Sequence, residues 1–188
     1  TDSGRSWFET DSRNRPATGD LEGVGSIQSK DGIIHIVHQT SDAVFYHAFA
    51  TSDGKEAADR WITVDQVIAA PEEPPTQVAD ITIRPDGSFV AVYGADEGLH
   101  VSIRDPDGSW GSAVPVHPEN PRGLTSPSIV CRPDGIVDIA YKSTDGTGWF
   151  CQLMTDNSLT TPEIFADDLG TTIDEAIAIL PLVYLPES

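Results

Sequence analysis

The chain has 188 residues, with 30 Asp and Glu against 11 Lys and Arg, and a formal net charge of −19. That length suits one core rather than two domains, and a charge so negative argues against a nucleic-acid backbone or an anionic membrane as partner. Hydrophobic residues at 38%, with 16 Gly and 14 Pro, are thin for a helical bundle but fit many short strands joined by tight turns, and no apolar run reaches membrane-spanning length.

In chain order, Thr1 to Trp7 (TDSGRSW) reads as a turn entering a strand, and Thr1 in place of Met reads as a processed or partial polypeptide. Next come GVGSIQSKDGIIHIVHQT, a third strand AVFYHAFA and a fourth from Trp61, WITVDQV. The order recurs as VADITIRPDGSFVAVYGA, GLHVSIRD and WGSAVPV, and again as SPSIVCRPDGIVDIAYKS, GWFCQLMT and LTTPEIF. Each unit pivots on Asp-Gly, at Asp31, Asp86 and Asp134, where the glycine supplies the positive φ of a two-residue hairpin connection. Shorter polar turns follow at Asp42, Asp96 and Asp145. Trp61 and Trp110 are 49 residues apart, as are Trp110 and Leu159. Ala176 to Leu180 reads as a further first strand and Leu182 to Leu185 as a second.

Four antiparallel strands repeated every 40 to 50 residues predict an all-β propeller, whose twisted sheets pack both faces against their neighbours. Full blades fall near residues 22–70, 78–118 and 125–166, with partial blades at 1–10 and 171–188. The second strands agree, being apolar on both faces: Ile34 and Ile36 against Ile33 and Val37. A two-sheet sandwich also uses alternation and turns, but gives no reason for a fixed four-strand repeat. The strands fall short of a closed ring of four blades, so another chain, another copy or further polypeptide is expected to complete it, unless the two termini join in one irregular blade. Cys131 and Cys151 fall on first and third strands of one sheet, two strand steps of ~4.8 Å apart, which predicts two thiols and no disulfide.

The opening segment resembles the Asp box of sialidase-type propellers, the bacterial neuraminidase repeat Ser-x-Asp-x-Gly-x-Thr-Trp. Asp2, Gly4, Ser6 and Trp7 stand at its Asp, Gly, Thr and Trp positions. Degenerate versions occur at Asp53 with Trp61, and at Asp105 to Trp110, where the glycine shifts to Gly108. In that family the box is a structural turn between third and fourth strands, with its aromatic ring packed between sheets. The resemblance also implies that ligands meet the opposite face.

On that face the loops and strand ends offer Arg13, Arg15, His38, Gln39, Tyr93, His117, Arg122, Tyr141 and Lys142. His38, Tyr93 and Tyr141 end the second strands at equivalent positions, a ring of amphipathic side chains suited to stacking on and hydrogen bonding a sugar. His38, Gln39, Tyr93, Arg122, Tyr141 and Lys142 are therefore the candidate ligand-binding set, against the alternative that these residues simply pack blades. Arg13, Arg15 and Arg122 are capable of gripping a carboxylate. No metal site and no cofactor are expected: His35 and His38 face opposite sides of one strand, and Asp105 with Asp107 lacks the later acidic ligand of a calcium loop.

The sequence thus points to a binding or assembly module rather than an enzyme, secreted or on the cell surface, with a carbohydrate or glycoconjugate as ligand. The alternatives are a partial sialidase-like glycoside hydrolase or polysaccharide lyase completed by another segment, and a structural subunit of a surface or particle assembly.

Overall fold

The computed structural model describes residues 23–28, 31–39, 43–50, 61–69, 77–95, 98–118, 127–143, 145–167 and 169. The expected turn at Asp2, Gly4, Ser6 and Trp7, the C-terminal strands and Arg122 lie outside them. Among the described residues there is no helix, and twelve strands form three four-stranded sheets. The first holds β1 (Gly23–Gln28), β2 (Ile33–Gln39), β3 (Val44–Ala50) and β4 (Trp61–Ala69). The second holds β5 (Gln77–Ile83), β6 (Phe89–Ala95), β7 (Gly98–Arg104) and β8 (Val114–Pro115). The third holds β9 (Ser128–Cys131), β10 (Val137–Lys142), β11 (Gly148–Leu153) and β12 (Glu163–Ala166). Each sheet runs in chain order, every neighbour antiparallel.

The registers explain the 49-residue spacing. Trp61 pairs with Phe49, Trp110 bridges to Arg104 and Leu159 bridges to Leu153, the same step in all three sheets. Beyond that step the fourth strands differ. In the second sheet the Gly111 amide still donates to Ile103 O at 2.8 Å, and strand pairing resumes at Val114 and Pro115; in the third it resumes at Glu163 after the Leu159 bridge. A glycine and a proline both weaken a ladder, so β8 is two residues long against nine in β4.

The Asp-Gly connections at Asp86, Asp107, Asp134 and Asp145 are three-residue loops, not the two-residue ones expected from the dipeptide. In the loop after Arg84, the Gly87 amide donates to the Arg84 carbonyl at 3.0 Å and the Arg84 amide to Ser88 O at 2.8 Å. This is a turn followed by one left-handed residue, with Gly87 at φ 88°. Loops 105–109, 132–136, 143–147 and 154–158 repeat both bonds. In all five the aspartate before the left-handed residue accepts the amide two positions on, at 2.9 to 3.1 Å. The last loop uses Asn157, at φ 68°, where the others use glycine.

Alternation along the second strands builds two cores. Phe89, Ala91 and Tyr93 of β6 face the first sheet, meeting Val37, Val44 and Tyr46; Val90 and Val92 face the third, meeting Val137, Ile139 and Leu153. Each such side chain contributes about 1.5–3 kcal/mol on burial. The first strands lie innermost, β5 packing beside β1 on one side and β9 on the other. Asp80 ties two of them: its Oδ1 accepts the Ile81 amide at 2.8 Å and its Oδ2 the Ile129 amide of β9 at 3.1 Å. Cys131 and Cys151 are free thiols on β9 and β11, with β10 between them.

Candidate functional site

The second strands end at one rim of the sheets, and the candidate residues there point in different directions. Tyr93 turns toward the first sheet, its hydroxyl 3.1 Å from Ser102 Oγ. Tyr141 turns toward the second sheet, its hydroxyl 3.1 Å from His117 Nδ1. Gln39 shares the inward side of Val37 and is 1% exposed, its Oε1 without a hydrogen-bond partner. His38 and Lys142 lie on the opposite sides of their strands, His38 hydrogen-bonded to His47 and stacked 5.1 Å from Phe45. Both are buried. Tyr93 and Tyr141 thus lie in the two successive gaps between the sheets, while His38 and Lys142 lie on the outer sides of the first and third sheets.

Of these, Tyr141 leads to a cavity. Its phenol is pushed up from the usual range, first by burial and then by the neighbouring Cys151 thiol. It therefore holds its proton, and its hydroxyl shares a hydrogen bond with His117 Nδ1 whose direction follows the imidazole tautomer. The His117 ring meets the indole of Trp149 edge-on, centroids 4.6 Å apart. Both line a cleft of about 480 Å³ between the second and third sheets, walled by Val114 of the short β8 and by Leu159, Thr160 and Thr161 before β12. The truncated fourth strand leaves this inter-sheet space open at its outer side.

Trp149 is held in place from the loop before it. Its Nε1 donates to Ser143 Oγ at 3.2 Å, and the Ser143 hydroxyl donates to Asp145 Oδ1 at 2.5 Å. The Ser143 hydroxyl and then the Thr147 amide hold the Asp145 carboxyl below its ordinary value. The indole is thus a fixed half-buried platform. Sequence reasoning counts His117 among the loop residues but misses Trp149, which the strand pattern marks only as an apolar residue of a third strand.

A smaller cavity of about 180 Å³ lies among the Asp-Gly loops, lined by Arg84, Asp86 and Asp134. There Arg84 is committed to the neighbouring sheet: Nη1 donates to Asn157 Oδ1 at 2.6 Å and Nη2 to Met154 O at 2.8 Å. Among the described residues no group of three or more His, Cys, Asp or Glu is placed to hold a metal, and no helix is long and apolar enough to cross a membrane.

No known protein family matches the chain, and no curated protein matches its sequence. Solved structures do. An α-L-arabinofuranosidase from Podospora anserina, solved in complex with cellotriose, aligns with a TM-score of 0.52 at 14% identity, over 86% of this chain and 55% of that one. A protein of unknown function from Dyadobacter fermentans aligns with a TM-score of 0.54 at 12% identity, over 80% of this chain and 52% of that one. The arabinofuranosidase is a β-propeller. This chain has a β-propeller fold. It spans about half the length of either neighbour. The three described sheets have the four-stranded antiparallel form of propeller blades, and the cleft is a gap between the second and third of them.

Proposed function

We propose that this chain is a carbohydrate-binding propeller module that acts outside the cytoplasm and binds without turning its ligand over. The observation that carries the reading is the Trp149 cleft. It combines an anchored indole face, apolar walls and the hydroxyls of Thr160 and Thr161, the mixture that the C–H face and O–H rim of a sugar ring require. The similarity to an enzyme solved with cellotriose agrees in ligand class. Trp110, the aromatic of the degenerate box from Asp105 to Trp110, packs against the core between the first and second sheets. A sialidase-type ancestry belongs to this proposal, as does completion of the ring by another copy or another chain. The test is an immobilised-glycan panel probed with the chain and with Trp149→Ala. Saccharide binding that weakens at least tenfold in the variant is expected; no binding to any glycan would overturn the reading.

A second reading, a hydrolase or lyase completed by another segment, draws on the Tyr141–His117 pair, a neutral phenol joined to an imidazole as an acid and base would be. Turnover of a labelled sialoside or uronate polymer that Tyr141→Phe abolishes would establish it over simple binding.

A further inference from the structure

We infer that the Trp149 cleft takes a neutral saccharide and rejects sialylated and uronate-bearing chains. The inference rests on the carbohydrate reading and narrows it to a ligand class. In a chain with 30 acidic and 11 basic residues, none of the described residues lining the cleft is Asp, Glu, Lys or Arg. A carboxylate-bearing sugar would have to be desolvated against described walls that offer no guanidinium or ammonium partner to compensate the cost. The field of a molecule with net charge −19 adds repulsion to that cost. A cationic ligand would equally find no carboxylate among the described wall residues to pair with.

What the cleft does offer is matched to uncharged hydroxyls. Val114, 47% exposed, and Leu159 present aliphatic surface beside the indole. The Thr160 Oγ1 accepts the Gln152 amide at 2.9 Å, which fixes that oxygen and leaves its O–H hydrogen to donate. The volume, about 480 Å³, falls within the range of small-molecule sites and suits a short oligosaccharide.

The experiment compares matched neutral and anionic probes by isothermal titration in 150 mM NaCl: lactose against 3′-sialyllactose, and xylo- and cello-oligosaccharides against oligogalacturonate. The expected result is binding to at least one neutral probe, at least tenfold tighter than to the anionic probes. Trp149→Ala and Val114→Glu should each weaken it at least tenfold, and the second variant lies at an exposed position where folding tolerates the change. Anionic probes bound as well as or better than neutral ones would overturn the inference while leaving the carbohydrate reading standing. Neutral binding that survives both variants would put the site elsewhere and also overturn it. Silence from every probe would remove the carbohydrate reading and this inference together.

Discussion

His35 shows how one position joins two blades. Its Nδ1 lies 2.6 Å from the Tyr46 hydroxyl, its ring 4.3 Å from that of Phe89, and the Arg104 guanidinium sits 4.8 Å over Tyr46. Burial first, and Arg104 second, lower its pKa from 6.5 to about 4. The unfolded chain therefore takes up a proton on this residue near pH 6.5, and the folded chain only near pH 4. Its contribution is intact above pH 6.5 and is lost progressively as pH falls from 6.5 to 4. Urea midpoints at pH 7 and pH 5 should show this: His35→Gln is less stable than the parent at pH 7, through the lost ring packing, and the gap narrows at pH 5. A gap of the same size at both values would show that His35 titrates normally.

At the scale of elements, one loop design is used five times, and blade contacts are built on it. Arg84, at the start of the second blade's loop, crosses to the third blade's last loop and binds Asn157. Asn157 is also the one described non-glycine residue at positive φ. Glycine would suit that backbone as well or better, by a few tenths of a kcal/mol. It would also remove the acceptor of a charged, buried donor, a loss of about 1.5–3 kcal/mol. The second effect is larger, so Asn157→Gly should destabilise the fold by about 1–2 kcal/mol in urea titration. In an Arg84→Ala background the same change should be close to neutral. A stabilising Asn157→Gly in the parent would mean that the inter-blade bond contributes nothing.

Across the whole molecule, 30 carboxylates share a small surface with 11 cations, and their mutual repulsion opposes the compact state at low ionic strength. The thermal midpoint should therefore rise as NaCl is added, and a flat or falling curve would retire this account. The sheets themselves are legible in the sequence, because hairpin loops and strand alternation are set by residues a few positions apart. The Asp beside a left-handed residue fixes a turn, and apolar residues on both faces of a strand announce burial on both sides. The loop length is not legible, because Asp-Gly serves two- and three-residue connections alike, and only the bond from Gly87 to Arg84 O separates them. The site is less legible than the sheets. His38, Tyr93 and Tyr141 are equivalent in the repeat, yet the first two meet His47 and Ser102, different residues nine positions on in their own sheets, while Tyr141 meets His117 across the gap between sheets. The sequence by itself determined the repeated antiparallel sheets and their spacing. Only the tertiary structure decided that one gap between blades stays open around Trp149, because that opening depends on how far a fourth strand of one blade extends beside the next.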